Sequence, residues 1–563
     1  MSWFVAALRN NPELAIFLTL ALGFFVGRLK IGSFSLGTVV GTLLSGVLVG
    51  QLGIQVPAIV KTVFFDLFLF TTGYKVGPQF FRALKKDALT QVALTVLLCV
   101  TCLITALAAA KLFAYDMGTA AGLLAGAFSE STVIGTAGDA INRLALPAED
   151  KARLVNNIPI AYAVTYLIGT AGLVWFLPAV GPWLMGVNLQ AEGKKQQALA
   201  GGPREHEPGI SSAARRFEVR AYRVAGEHLA NRTVAAIEAL PRETRVFILR
   251  IRRKGEIVEA RPSSMVLMDD VIAVAARYEV LVTHGSRIGP EVEDQALLDI
   301  PIEVLDVVVT NNELAGRPMS ELVRHELVRG VFLRKLVRAG EEMPILPETR
   351  IDRGDVVSLV GTRSEVERAA KVLGYPDWPT NTTDMIFVGT GIVLGGFVGL
   401  LSVTMFGVPL TLTASGGALI MGLVFGWLRS VRPSFGHIPE PAIWIFDTVG
   451  LCVFIGVVGL SAGPGFVTGL QKTGVSLVVV GLGCALVPHT VAILFGRYVL
   501  RMNPLILLGA CAGAGTITAA LRAVQDEAQS KVPALGYTVP YAIGNILLTA
   551  WGPVLVALMS LGH

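Results

Sequence analysis

Four consecutive oxygen-bearing side chains, Ser129-Glu130-Ser131-Thr132, stand in the middle of the otherwise apolar stretch AGLLAGAFSESTVIGTAGDAINRL at 121–144. Hydroxyls and a carboxylate in that density bind a small polar solute or an ion, and hydrocarbon cannot solvate them. Gly122, Gly126, Gly135 and Gly138 around the cluster point to a helix that breaks and turns back, offering backbone groups at the break. A second stretch of this kind, LGACAGAGTITAALRAVQD at 508–526, lays Gly515-Thr516-Ile517 under Ser131-Thr132-Val133. Hydroxyls of Ser129, Ser131, Thr132 and Thr516, with the amides and helix N-termini near Gly513 and Gly515, can hold an anion without a buried free cation. The competing reading is that they bond back to their own helices or glue neighbouring ones.

Other residues carry two readings each. Glu130 is costly at membrane depth, so it faces either a ligand or an aqueous mouth. Lys75 either attracts an anion or extends its amine to the interface. Arg522 and Arg143 stand at the exits of the broken segments, positioned to pair with Asp526 and Asp139 or to guard a mouth. Asp66 and Asp447 each follow a Phe and serve cation or proton coupling, or cap a helix. Asn545 and Asn157 are weaker amide candidates. Cys99 and Cys102 have metal or redox spacing but no partner ligands in their apolar surroundings, so they read as packing residues. No metal, cofactor or catalytic constellation is expected.

The elements that must position these residues are apolar. The chain has 563 residues, 53% hydrophobic and 16% charged, with a mean hydropathy of +0.62, which excludes an ordinary soluble enzyme. Its net charge of +5 reflects basic residues scattered or beside apolar runs, which fits membrane topology better than nucleic acid. Runs near 12–28, 35–53, 57–74, 88–113 and 157–186 precede a polar middle, and runs near 385–402, 409–427, 442–461, 474–496 and 537–560 follow it.

The two halves repeat. FFVG at 24–27 answers GFVG at 396–399, and Gly41, Gly46 and Gly50 have the spacing of Gly417, Gly422 and Gly426. Phe65-Asp66 answers Phe446-Asp447, Gly77-Pro78 answers Gly463-Pro464, and Tyr162-Ala163 with Thr170-Ala171 answer Tyr541-Ala542 with Thr549-Ala550. With each broken segment counted as a re-entrant hairpin, every half has about five crossings, and its ends lie on opposite sides. A cytoplasmic middle then puts Arg28, Lys30, Arg82, Lys85, Lys86, Arg429, Arg432, Arg497 and Arg501 inside, with Arg143, Lys151 and Arg153 as the exception. The expectation is a polytopic α-helical membrane protein of two inverted-topology repeats, each with about five spans plus a re-entrant hairpin, interrupted by two small α+β cytoplasmic domains.

The expected boundaries are repeat 1 at 1–186, a flexible linker at 187–215, the two α+β blocks at 216–285 and 286–375, and repeat 2 at 380–563. The second block resembles the TrkA C-terminal regulatory domain in Leu314-Ala315-Gly316-Arg317, Leu333-Arg334-Lys335 and Asp352-Arg353-Gly354-Asp355-Val356-Val357. The first is similar in Arg252-Arg253-Lys254-Gly255 and Met268-Asp269-Asp270-Val271. That resemblance implies a small regulatory ligand and pairing into a homodimer.

Two duplicated halves around such domains, with TTGYKVGPQFF at 71–81 and AFSESTVIGTA at 127–137, resemble the aspartate:alanine exchanger family over essentially the whole chain. The resemblance implies antiport across a bacterial inner membrane, and the charge pattern puts both termini outside. An acidic amino acid would exchange for alanine; relatives are thought to carry other amino acids or C4-dicarboxylates. For such a substrate the hairpin tips take carboxylates, Glu130 pairs with the ammonium group, and Lys75 draws the side-chain carboxylate. A gated ion channel is the rival from another class, and the chain holds no TVGYG-like filter run.

Overall fold

In the computed structural model, residues 2–31, 34–35, 37–83, 88–199, 217–240, 246–322, 329–377, 382–405, 408–411, 413–432 and 435–561 are described. Lys85, Lys86, the 200–215 part of the linker and residues 323–326 of the helical MSELVRHE stretch lie outside them. By its internal contacts the chain divides into two units. One joins Met1–Leu199, Val337–Pro344 and Pro379–His563; the other joins Ala200–Leu336 and Ile345–Trp378.

In the first unit every apolar run forms a helix, and the helices follow one order twice. Pro12–Gly27, Thr38–Gly50, Ala58–Ala83, Leu89–Leu112 and Ala148–Met185 make the first series. Met385–Gly399, Thr413–Val431, Glu440–Pro464, Gly474–Val499 and Ala534–Ser560 make the second. A broken helix pair precedes the last member of each series. Among the described residues, six helices are long and apolar enough to cross a membrane. Thr38–Gly50 and Met385–Gly399 are apolar but shorter, and Ala58–Ala83 carries Lys61, Asp66 and Lys75.

Glycine spacing sets the packing because a bare Cα lets two helix backbones touch. Within each half the first two helices cross at glycines: a Cβ on Gly41 would strike Gly27, and one on Gly395 would strike the backbone of Gly417 and Ala418. Between halves the next rungs take over. A Cβ on Gly46 would lie 2.6 Å from the Gly456 carbonyl, and one on Gly422 would lie 3.1 Å from the Gly73 Cα. Each ladder helix therefore packs on the third helix of the other half, and the halves form one core.

The linker departs from the flexible connector expected of it, since Leu189–Leu199 is a helix. Gln, Lys, Ala and Glu are good helix formers, and the Asn188 side chain accepts the Ala191 N–H at 2.9 Å.

The second unit contains the two α+β blocks apart from residues 337–344, and the blocks share a strand order. The first block aligns Phe217–Arg223, Val271–Arg277, Val246–Arg253 and Glu256–Glu259, so its first strand lies beside its fourth. The second repeats this with Ile302–Val309, Val356–Thr362, Val331–Arg338 and Glu341–Glu342, and adds Gly374–Pro376 outside the first strand. Arg329 ties the blocks together, donating to Glu238 at 2.6 and 2.7 Å and to Glu365 at 3.3 Å with all three side chains 15% exposed or less. Arg329→Ala leaves buried Glu238 without its cation and Glu365 with only the more distant Arg368 at 3.8 Å. The insert should lose about 3 kcal/mol, read as a lower denaturant midpoint for proteolysis between 217 and 377 in the intact protein; an unchanged midpoint rules out this tie.

Candidate functional site

The two broken segments are hairpins of the same build. In the first, Met117–Ala127 ends at a break and Thr132–Arg143 returns; in the second, Pro504–Ala514 ends and Thr518–Ala528 returns. The stop is made identically in both. Ser129 N–H donates to the Gly126 carbonyl and Glu130 N–H to Ala125, while Thr516 N–H donates to Gly513 and Ile517 N–H to Ala512. Ser129 and Thr516 take the left-handed conformation that this stop requires, with φ of 55° and 58°. Ser129 is thus the counterpart of Thr516, which moves the sequence alignment of Thr132 with Thr516 by three residues. Backbone geometry at the break, rather than the shared Thr, sets the correspondence.

The breaks meet in the core. The Thr516 hydroxyl donates to the Phe128 carbonyl at 3.0 Å, joining one hairpin tip to the other. Glu130, 4% exposed, accepts from the Thr132 hydroxyl at 2.6 Å. Thr132 and Thr549 are also 2.6 Å apart; Thr132 spends its proton on Glu130, so Thr549 is the donor between them. Thr136 donates to the Thr549 carbonyl at 3.1 Å, and Ser129 bonds the Thr170 hydroxyl at 2.7 Å. Thr170 and Thr549, recognised in the sequence only as marks of the repeat, are the residues that brace the first hairpin. Ser131 is buried at the start of the returning helix, beside the Tyr162 hydroxyl.

The hairpin contact therefore gathers Ser129, Glu130, Ser131, Thr132, Gly515 and Thr516. Other expected members stand elsewhere. Lys75 Nζ pairs with Asp447 at 2.9 Å, and Thr72 adds a bond to the same carboxylate at 3.4 Å. A single ion pair accounts for both Lys75 and Asp447. Neither Asp66 nor Asp447 caps a helix: Asp66 lies inside Ala58–Ala83, and Asp447 lies in the π-helical turn Ile445–Val449. Asp66 is placed near Ser415 and Asp139, with its Oδ1 buried and without a hydrogen bond. Ser415, Asp139 and Lys61 line a small adjacent cavity of about 20 Å³.

Gly513 is a packing residue, because a Cβ there would meet the Tyr537 carbonyl. Asn545 donates to Tyr541 of its own helix at 2.8 Å, and Asn157 to Asp116 at 2.9 Å. Arg522 is exposed on the returning helix of the second hairpin, six positions past Thr516. The five cysteines are buried free thiols, and no group of three metal-ligating side chains occurs among the described residues.

Sequence reasoning passed over His489. It is fully buried, its ring stacks 6.4 Å from Phe128, and a Cβ on Gly515 would lie 2.6 Å from its Nε2. Nδ1 donates to the Ala485 carbonyl at 2.8 Å, and the Cys511 carbonyl also faces the ring. The signal was present, since an ionisable side chain in an apolar run such as LVPHTVAIL is a functional candidate by its cost alone.

A helical core holding paired, polar, broken helices defines a membrane transporter. The chain belongs to the aspartate:alanine exchanger family, whose model, described as a predicted permease membrane region, matches residues 15–181 and 387–557. A TrkA-C domain matches residues 304–374, the second block of the insert. Similar proteins are described as uncharacterised transporters. One from Shewanella oneidensis is 40% identical over the full length of both chains, one from Bradyrhizobium diazoefficiens is 43% identical over 98% of each, and one from Bordetella bronchiseptica is 39% identical over 98% of this chain and 97% of its own.

Proposed function

We propose that this transporter is a secondary antiporter exchanging aspartate for alanine, with one site between its two hairpins exposed alternately to either side. The observation that carries this reading is the joining of the two breaks, Thr516 Oγ1 to the Phe128 carbonyl, around the buried Glu130. Each returning helix presents its N-terminus to the break, so a carboxylate there meets the positive end of a helix dipole. Hydroxyls of Ser131 and Thr516 supplement it, and Glu130 accepts from the ammonium group shared by both substrates.

In this reading the halves have inverted topology, the insert and the basic loops are cytoplasmic, and both termini are external. The two blocks of the insert bind a small regulator and pair two copies of the chain.

Counterflow in proteoliposomes tests the assignment. Vesicles loaded in turn with aspartate, alanine, glutamate or succinate are given labelled aspartate outside. Uptake supported by internal aspartate or alanine alone is the expected result. Support from succinate alone would transfer the site to C4-dicarboxylates, and a leak indifferent to internal solute would replace the carrier with a channel.

A further inference from the structure

We infer that the turn at 339–342 is an autoinhibitory guard: the Glu341 carboxylate occupies the cationic approach to the second break, where an acidic substrate would otherwise enter. The inference rests on the exchange reading above and adds a regulatory element to it.

Of the two α+β blocks, only Val337–Pro344 belongs to the helical unit. Its sequence, Val337-Arg338-Ala339-Gly340-Glu341-Glu342, folds as a tight hairpin. Arg338 pairs with Glu341 and Val337 with Glu342 across the two strands, which leaves Ala339 and Gly340 as the turn. Their φ values of 49° and 81° are the pair of positive angles that such a turn needs and that alanine seldom adopts. Met343, just after the hairpin, is buried. The two glutamates are therefore presented from a stiff frame.

Both meet cations of the second hairpin. Glu342 accepts from Lys531 at 3.0 Å, in the link between the returning helix and the last helix. Glu341 is half-buried and faces Arg522 and Lys75. Arg522 stands about one helical turn past Thr518, where the returning helix starts. Tyr537 is close to both Glu341 and Arg522, and its hydroxyl shares a 2.7 Å hydrogen bond with Thr518. A carboxylate of the protein is thus seated just outside the break that the exchange reading assigns to a carboxylate of the substrate.

The contact is built to release. An ion pair as exposed as Glu342 with Lys531 adds little to stability. Burial raises the pKa of Glu341 against the pull of Arg522 and Lys75, so those cations do not offset the hydration that its carboxylate loses. What the contact does change is the local field, because Glu341 cancels positive charge that would draw an anion toward the break. The strand Val331–Arg338 runs directly into the turn, so a shift of that strand carries Glu341 away from its cations.

Full-length wild type and Glu341→Gln are compared by thiol labelling and by counterflow. Gln keeps the size of the side chain and leaves the Glu342 pair with Lys531 in place, removing only the charge. For labelling, Ala519→Cys is placed in both backgrounds. Ala519 is exposed, three residues before Arg522 on the same helix face, and the native cysteines are buried. A sulfonate-bearing thiol reagent should react about fivefold faster in Glu341→Gln, and an uncharged reagent within about twofold of its wild-type rate. The half-saturation for aspartate should fall about fivefold, and that for alanine, which carries no net charge, should stay within about twofold. Sulfonate labelling that Glu341→Gln leaves unchanged overturns the inference, as does an unchanged aspartate half-saturation in a protein that exchanges aspartate. Equal gains with both reagents and both substrates mean that the variant only loosens the turn, which also overturns it. Faster sulfonate labelling alongside exchange of succinate alone would retain the guard and reject the aspartate and alanine reading instead.

Discussion

Glu130→Gln should cut aspartate and alanine counterflow by about 10- to 100-fold while leaving the protein folded, the range expected on losing a hydrogen bond to a charged group. Gln retains a side-chain oxygen for the Thr132 hydroxyl, so the chain from Thr549 through Thr132 survives. What disappears is the negative charge that faces the ammonium group. Succinate has no ammonium group, so any transport of it should be spared. Unchanged aspartate kinetics would remove Glu130 from the site, and equal loss of succinate would make its role structural.

The largest effect on stability is expected from a single methyl group at Gly73. A Cβ there would overlap the Leu419 carbonyl, a backbone atom with no rotamer to yield, so the helices of the two halves must separate. Gly73→Ala should cost about 3 kcal/mol or more and leave little monodisperse protein after detergent extraction. Gly389 is the control. It also lies mid-helix, but nothing stands within 4 Å of its added Cβ, and Gly389→Ala should raise the melting temperature slightly through helix propensity. Similar melting temperatures for the two variants would show that the glycine contact does not hold the halves together.

Much of the fold was legible in the sequence. Membrane-length apolar runs had no alternative to helix, because only a closed set of backbone hydrogen bonds survives in lipid. The glycine ladders were equally plain, since glycines recurring along an apolar helix let neighbouring backbones approach closely. Both hairpins announced themselves through polar residues too costly for a lipid-facing helix.

Pairing across the fold was not legible. Lys75 and Asp447 are 372 positions apart in the chain, and each looked like a separate functional candidate until one ion pair explained both. Asn545 and Gly513 read as binding candidates in the sequence, yet one bonds its own helix and the other fits under the Tyr537 carbonyl.

By itself, then, the sequence determined the helices, their duplication and the places where two of them break, because these follow from local composition and the period of a single element. Only the tertiary structure decided that Ser129 answers Thr516, that Thr549 rather than a ligand bonds Thr132, and that His489 stands at the meeting of the breaks. Such relations depend on which helices lie side by side, and chain distance carries no information about that.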